Sequence, residues 1–213
     1  MKIALVIYPG FTALDIIGPF QVLADVPDHD VMIVAEHAGP VTDHTGRLTL
    51  TATAGFDDVP DPDIVVVAGA LQDRPPDAAA VDWLRRVHPT TRWTTSVCTG
   101  SLFLAAAGIL GGHDATCHWA RAHRLEEYGI TYTPRRIVRH DRVMTAAGVS
   151  AGIDMALHLL DELHGPTVAQ SVQLAIEYDP EPPYDCGSPA TADPDLTQLV
   201  AAVLNPGDRE IAR

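Results

Sequence analysis

The apolar and polar positions of this chain fall into two alternating kinds of run. "KIALVIY" (2–8), "DVMIVAE" (30–36), "DIVVVAGA" (63–70) and "RWTTSV" (92–97) are short and nearly continuous in Val, Ile and Thr. That is the pattern of strands buried on both faces. "ALDIIGPFQVLADV" (13–26), "DAAAVDWLRRVH" (77–88), "TGSLFLAAAGIL" (99–110) and "HWARAHRLEEYG" (118–129) carry helical spacing and end near Gly or Pro. Strand followed by helix, repeated, predicts a mainly parallel sheet covered on both faces. "PVTDHTGRLTLTATAGF" (40–56) and "RRIVRHDRVMTAAG" (135–148) break the rhythm: each sets a polar turn between β-prone flanks and reads as a hairpin or edge strand. "AGIDMALHLLDELHG" (151–165) and "TVAQSVQLAIEY" (167–178) are two further helices. From Asp179 the chain is rich in Pro, Asp and Gly, with one last helix predicted at "PDLTQLVAAVL" (194–204). No internal repeat or dividing linker is visible, so 1–213 reads as a single domain with a Pro/Asp-rich extension over about 179–213. A chain of 213 residues, 46% hydrophobic, is large enough to bury a full core.

Charge narrows the partners. The formal net charge is -14, from 14 basic and 28 acidic residues. Phosphate backbones and anionic lipid surfaces repel such a chain unless a basic patch intervenes. The densest basic run, "RRIVRHDR" (135–142), is short and alternates with apolar residues like an amphipathic strand. No nucleic-acid and no membrane partner is therefore expected. The longest apolar run, Leu102 to Leu110, is far below the roughly 20 residues that cross a bilayer. "MKIALVIYPGF" turns at Pro9-Gly10 before a signal-peptide core develops, and Cys98, Cys117 and Cys186 are odd in number and widely spaced. The expectation is a reduced, cytoplasmic protein.

Candidate chemistry concentrates in "WTTSVCTGSLFLAAAGIL" (93–110), where a β-rich run meets a helical run at Cys98. A strand-to-helix turn sets the sulfur beside the unpaired N–H groups of the first helical turn, which favours thiolate. A free cysteine is otherwise a small buried hydrophobe. Position separates the two readings: open α/β sheets bind ligands at the carboxyl ends of their strands, which singles out Cys98 as a nucleophile. Cys117 and Cys186 have no such setting and read as structural. The ten histidines lack metal-site spacing, so neither metal nor cofactor is expected.

At this point a resemblance enters. "SVCTGSLFLAAAGIL" with "ATCHWA" downstream, "LDIIGPF" near the start and "IEYDPEPPYDCGSP" near the end resemble the PfpI-like cysteine superfamily and, within it, the isonitrile hydratases. "SVCTGS" identifies the superfamily, and the "EYDPEPPY" segment points to that branch. The resemblance implies a flavodoxin-like three-layer α/β sandwich, usually a homodimer, with the elbow cysteine as nucleophile and a carboxylate from the first helix beside it. The matching carboxylate is Asp15, which by itself reads equally as an N-terminal helix charge. Thr99 matches a position whose hydroxyl and N–H face the site. Gly69 and Ala70 match a second oxyanion-hole turn, here Ala68-Gly69-Ala70 in place of Pro-Gly-Gly, and Ala resists the positive φ that Gly allows. His118 matches a histidine read here as a packing residue, with a pairing to Cys98 as the competing reading.

The chemistry these residues imply is addition of water to an isonitrile. An exposed terminal carbon must accept a nucleophile and a proton, which a thiolate and a carboxylic acid supply. A related enzyme acting on glyoxals or other small electrophiles is the nearer alternative. A ligand-sensing domain like that of AraC-type regulators is the further one. Residues 179–213, with seven acidic residues and only Arg209 and Arg213 as basic ones, are too short and too acidic for a DNA-reading module.

Overall fold

The computed structural model describes residues 1–71 and 75–205. Seven strands form the central sheet: β1 (Lys2–Val6), β2 (Asp30–Ala35), β5 (Ala54–Gly55), β6 (Ile64–Val67), β7 (Trp93–Val97), β8 (Ile137–His140) and β9 (Val143–Ala146), in the order β5-β2-β1-β6-β7-β9-β8. All neighbours are parallel except the β8–β9 hairpin. The run 40–56 supplies a separate antiparallel hairpin, β3 (Gly39–Thr42) with β4 (Thr49–Ala52), and then β5 at the sheet edge.

The apolar runs explain the layers. β1, β6 and β7 are central, and Ile3, Leu5, Ile64, Val66 and Val97 are fully shielded, as the absence of polar alternation in their sequences requires. On one face α1 (Leu14–Leu23) packs on α5 (Ala151–His164), which also meets α6 (Pro166–Ala175). On the other, α2 (Ala78–Val87) packs on α3 (Gly100–Ala106), which meets α4 (His123–Glu126). Right-handed crossovers produce this division: the chain leaves β1 for β2 on one side and later steps from β6 to β7 on the other, so α1 and α2 lie on opposite faces. The flavodoxin-like three-layer α/β fold expected from the sequence is the fold observed. The order reverses between β1 and β6, and open sheets of this kind present a ligand crevice where it does.

Two predicted helices are shorter than their sequence pattern. The run 99–110 stops at Ala106 because Gly108 adopts φ +77°, and the N–H groups of Gly108 and Ile109 close the end onto the carbonyls of Ala105 and Leu104 at 2.9 Å each. The run 118–129 breaks into a 3₁₀ turn (Trp119–Arg121) and the four-residue α4. His118 caps that turn, its Nδ1 accepting from the Ala120 N–H at 3.3 Å, and of the apolar residues in these two elements only Ala120 and Leu125 are buried. One continuous helix has no apolar stripe to bury there.

By its own contacts the chain divides into Met1–Ile176 and Glu177–Arg213. The first unit contains the sheet and all the helices named so far. The second, described to residue 205, is an irregular stretch followed by α7 (Pro194–Leu204), which Asp193 caps through Asp195 and Leu196. Arg209 and Arg213 lie outside the described residues. Among the described residues, no helix is long and apolar enough to cross a membrane.

Candidate active site

Three loops at the carboxyl ends of β1, β6 and β7 converge. The loop after β1 brings Tyr8 and Thr12 and leads into α1, whose second residue is Asp15. The loop after β6 is Ala68-Gly69-Ala70. The turn after β7 is Cys98-Thr99.

Backbone bonds tie the three together. The Thr12 N–H donates to the Gly69 carbonyl at 2.8 Å, and the Tyr8 hydroxyl donates to the Ala68 carbonyl at 3.0 Å. The Gly69 N–H donates to Asp15 Oδ2 at 2.8 Å. The Thr99 hydroxyl accepts from the Ala70 N–H at 2.7 Å and donates to the Ala70 carbonyl at 2.9 Å. Asp15 is fully buried, and its Oδ1 has no hydrogen bond of ordinary geometry. The structure thus brings Asp15, Gly69, Ala70, Cys98 and Thr99 into one cluster.

The role expected of Gly69 and Ala70 changes. Both N–H groups are engaged, one with Asp15 and the other with Thr99, so they orient those side chains and leave no free oxyanion donor. The space around Gly69 explains its identity: a Cβ there meets Thr99 N at 2.5 Å, Thr99 Oγ1 at 2.7 Å and Asp15 Oδ2 at 2.9 Å. Gly69→Ala is expected to push the elbow and the carboxyl apart and to lower turnover by roughly 10²-fold, the scale of a 1 Å misplacement at a reacting centre. The check is kcat measured beside the thermal midpoint; a variant as active as the wild type removes the loop from the site.

Cys98 occupies the left-handed region at φ +58°, where a non-glycine residue is strained by about 1–3 kcal/mol. Its N–H donates to the carbonyls of Ala147 at 2.8 Å and Ala146 at 3.1 Å, which fixes the elbow between β7 and the end of β9. The thiol is fully buried. Burial, and next the Asp15 charge, push it well above the ordinary thiol range, while the N–H groups of Val149 and Thr99 pull it back. Burial pushes the Asp15 carboxyl up to about 7, against the Gly69 N–H and the Cys98 thiol, which both favour the charged form. Burial and the neighbouring carboxyl thus oppose the thiolate that the end of a seven-residue helix favours. Burial disfavours the charged form of both Cys98 and Asp15.

The N–H of Val149 has no counterpart in the sequence reading. Val149 stands at φ +26°, an unusual backbone for a β-branched residue, and turns its amide toward the sulfur. A backbone donor of this kind leaves no side-chain signal, and "AGVSAG" reads only as a helix start.

The ring of His118 packs on Gly148 and Trp119, its Nδ1 caps the 3₁₀ turn, and burial, then the Arg121 charge, lower its pKa. Cys117 is also buried; its thiol lies 3.3 Å from the His118 carbonyl and is pushed up to about 12 by burial. Cys186 is exposed. Among the described residues no group of three His, Cys, Asp or Glu side chains is arranged to hold a metal ion.

Residues 1–162 match the DJ-1/PfpI family. The chain belongs to the DJ-1/PfpI family. Within that family it is 43% identical to the isonitrile hydratase of Pseudomonas putida over 194 residues, 90% of this chain and 85% of the relative. The crystal structure of a ThiJ/PfpI family protein from Pseudomonas syringae superposes with a TM-score of 0.91 at 34% identity, covering 96% of this chain and 86% of that one. The transcriptional regulator GbdR of Pseudomonas aeruginosa is 32% identical over 62% of this chain, but that match spans only 37% of the regulator.

Proposed function

We propose that this DJ-1/PfpI protein hydrates isonitriles to N-substituted formamides, acting in the cytoplasm as a homodimer without metal or cofactor. The observation that carries the reading is the buried pair itself: a thiol beside a carboxyl, both fully enclosed, on a chain 43% identical to an isonitrile hydratase over 90% of its length.

The reaction R–N≡C + H₂O → R–NH–CHO asks for a nucleophile and a proton at the same carbon. Asp15 takes the thiol proton as Cys98 Sγ bonds to the terminal carbon, and returns it to that carbon. The product is a neutral thioimidate, R–N=CH–S–Cys98. Water then adds to the C=N carbon, the C–S bond breaks, the sulfur recovers a proton and the formamide leaves. A raised thiol pKa is no obstacle to this sequence, because the proton that leaves sulfur must end on the substrate. Thr99 contributes by clamping the loop that orients Asp15, and Val149 supplies an N–H to the sulfur as it gains charge.

The pair's proton count predicts the pH profile. Below about 7 Asp15 is protonated while the thiol keeps its own proton, so no base is present to accept it. kcat/KM should rise as pH increases through about 7 and then level off, since the thiol itself titrates well above its usual range. A profile flat from pH 5 to 8 contradicts the pairing.

The direct experiment mixes the purified protein with an alkyl and an aryl isonitrile and follows formamide by chromatography. Formamide release supports the proposal. No formamide from several isonitriles, with hydroxy acid released from a glyoxal instead, overturns it in favour of carbonyl chemistry at the same pair.

A further inference from the structure

We infer that Thr12 and Asp15 together seat the water molecule that cleaves the thioimidate, which makes the Thr12 hydroxyl a further catalytic group of this site. The inference rests on the isonitrile reading and assigns the half of that reaction in which water enters.

The starting observation is two enclosed oxygens with nothing to bond. Thr12 is 4% exposed and Asp15 is fully buried, and neither Thr12 Oγ1 nor Asp15 Oδ1 makes a hydrogen bond of ordinary geometry within the chain. A buried hydroxyl left in that condition costs about 1–3 kcal/mol, so its place in a site calls for a ligand. The position sharpens the point. A threonine at a helix entry ordinarily turns its hydroxyl onto the N–H groups of the first turn, and here α1 has no side-chain cap.

The backbone brings the two residues together. The Asp15 N–H donates to the Thr12 carbonyl at 3.1 Å, which closes a four-residue turn with Thr12 and Asp15 at its ends. Residues so placed lie within about 7 Å at Cα, a span that one water with two hydrogen bonds of roughly 2.8 Å bridges between side chains. Gly69 holds both from the other side: its carbonyl accepts from the Thr12 N–H at 2.8 Å and its N–H donates to Asp15 Oδ2 at 2.8 Å. That second bond leaves Oδ1 as the open oxygen of the carboxyl.

The other hydroxyls around the elbow are committed. Tyr8 donates to the Ala68 carbonyl at 3.0 Å, Thr99 to the Ala70 carbonyl at 2.9 Å, and Ser101 to the Cys98 carbonyl at 3.2 Å. Of the four, Thr12 is the one whose proton is free for a ligand. A water held in an apolar enclosure needs at least two polar partners, and Thr12 Oγ1 and Asp15 Oδ1 supply two.

The chemistry then closes without a further reactant. Once its proton has gone to the substrate carbon, Asp15 is a carboxylate. Thr12 donates to one lone pair of the water, Asp15 Oδ1 accepts one of its protons, and the second lone pair meets the thioimidate carbon. As the C–O bond forms, the C=N electron pair moves to nitrogen and Asp15 passes its new proton there, giving R–NH–CH(OH)–S–Cys98. The C–S bond breaks with its electron pair on sulfur, the hydroxyl proton passes through Asp15 to the sulfur, and R–NH–CHO leaves.

The test compares Thr12→Val, which removes the hydroxyl at nearly constant shape, with Thr12→Ser, which keeps it. Each full-length protein is mixed with an aryl isonitrile, and both the covalent adduct, by intact mass, and released formamide are followed in time. In Thr12→Val the adduct should form at the wild-type rate and accumulate to one per chain. Formamide release should fall about 10²-fold, the scale of one lost hydrogen bond at a reacting centre. Thr12→Ser should recover most of that loss. The thermal midpoint of Thr12→Val should not drop, because an apolar group replaces a hydroxyl that has no partner in the chain. A variant that turns over like the wild type overturns the inference. So does slowed adduct formation, which puts the hydroxyl on the substrate instead of the water, and so does a lowered midpoint, which gives it a structural role. A wild type that releases no formamide overturns the isonitrile reading along with it, whereas formamide from the wild type and no adduct in Thr12→Val overturns the water seat alone.

Discussion

The Cys98→Ala protein is expected to form no formamide above background, a loss of at least about 10⁴-fold, the scale seen when a covalent nucleophile is removed. The reason is stoichiometric as much as electronic. Without sulfur there is no covalent intermediate, and without the thiol there is no proton for Asp15 to pass to the carbon. Folding should survive, because Ala fits the fully enclosed site and the elbow is held by the Cys98 N–H bonds to Ala146 and Ala147, which the substitution keeps. A thermal midpoint within a few degrees of wild type is the expected control, since removing one buried sulfur costs only about 1 kcal/mol. Cys98→Ser makes the sharper variant: it keeps a hydrogen-bond donor beside Asp15 but offers a hydroxyl that ionises far less readily, so it too should be inactive. A Cys98→Ala protein that turns over isonitriles ends the thioimidate route.

What the sequence made legible follows from which atoms carry the information. The sheet was readable because β1, β6 and β7 are buried on both faces and so must be apolar without interruption. Cys98 was readable because the change from β-rich to helical sequence falls on that residue. Asp15 was visible only through the family motif; by residue type it is one acid in the first turn of a helix, and burial at the site is what distinguishes it. The parts that escaped are backbone ones. The Val149 amide and the engagement of the Gly69 and Ala70 amides depend on φ and ψ, and no side chain announces them. The burial that opposes the thiolate escaped for a related reason: helix-end electrostatics can be read from a string of letters, whereas desolvation by the surrounding fold cannot. Gly108 did lie within the predicted helix, and its left-handed backbone ended that helix two residues before it.

The Asp15→Asn substitution should separate stability from catalysis. Its amide oxygen can accept from the Gly69 N–H as Oδ2 does, so the loop stays in place, yet it can neither take the thiol proton nor return it. Turnover should fall by about 10²–10⁴-fold, the contribution of a positioned proton carrier. Stability should move the other way, with a sign fixed by linkage. Burial raises the folded carboxyl from 3.8 to about 7, so the native state binds the proton more tightly than the unfolded chain. That stabilisation is complete below pH 3.8 and is lost as pH rises through about 7. Across this window the wild type should lose on the order of 4 kcal/mol, at about 1.4 kcal/mol per pH unit of separation. The Asn variant has no proton to lose there. Measured by denaturant unfolding, it should gain on the wild type steadily between pH 4 and pH 8 and be the more stable protein at the upper end. If the stability difference between the two proteins does not change with pH, Asp15 does not carry the buried proton and another group must supply it to the carbon. If the difference grows with pH while turnover is unchanged, the proton is held there but not used in the reaction. Only the growing gap together with the lost turnover places on one carboxyl both the stability penalty of a dry site and the catalytic use of its proton.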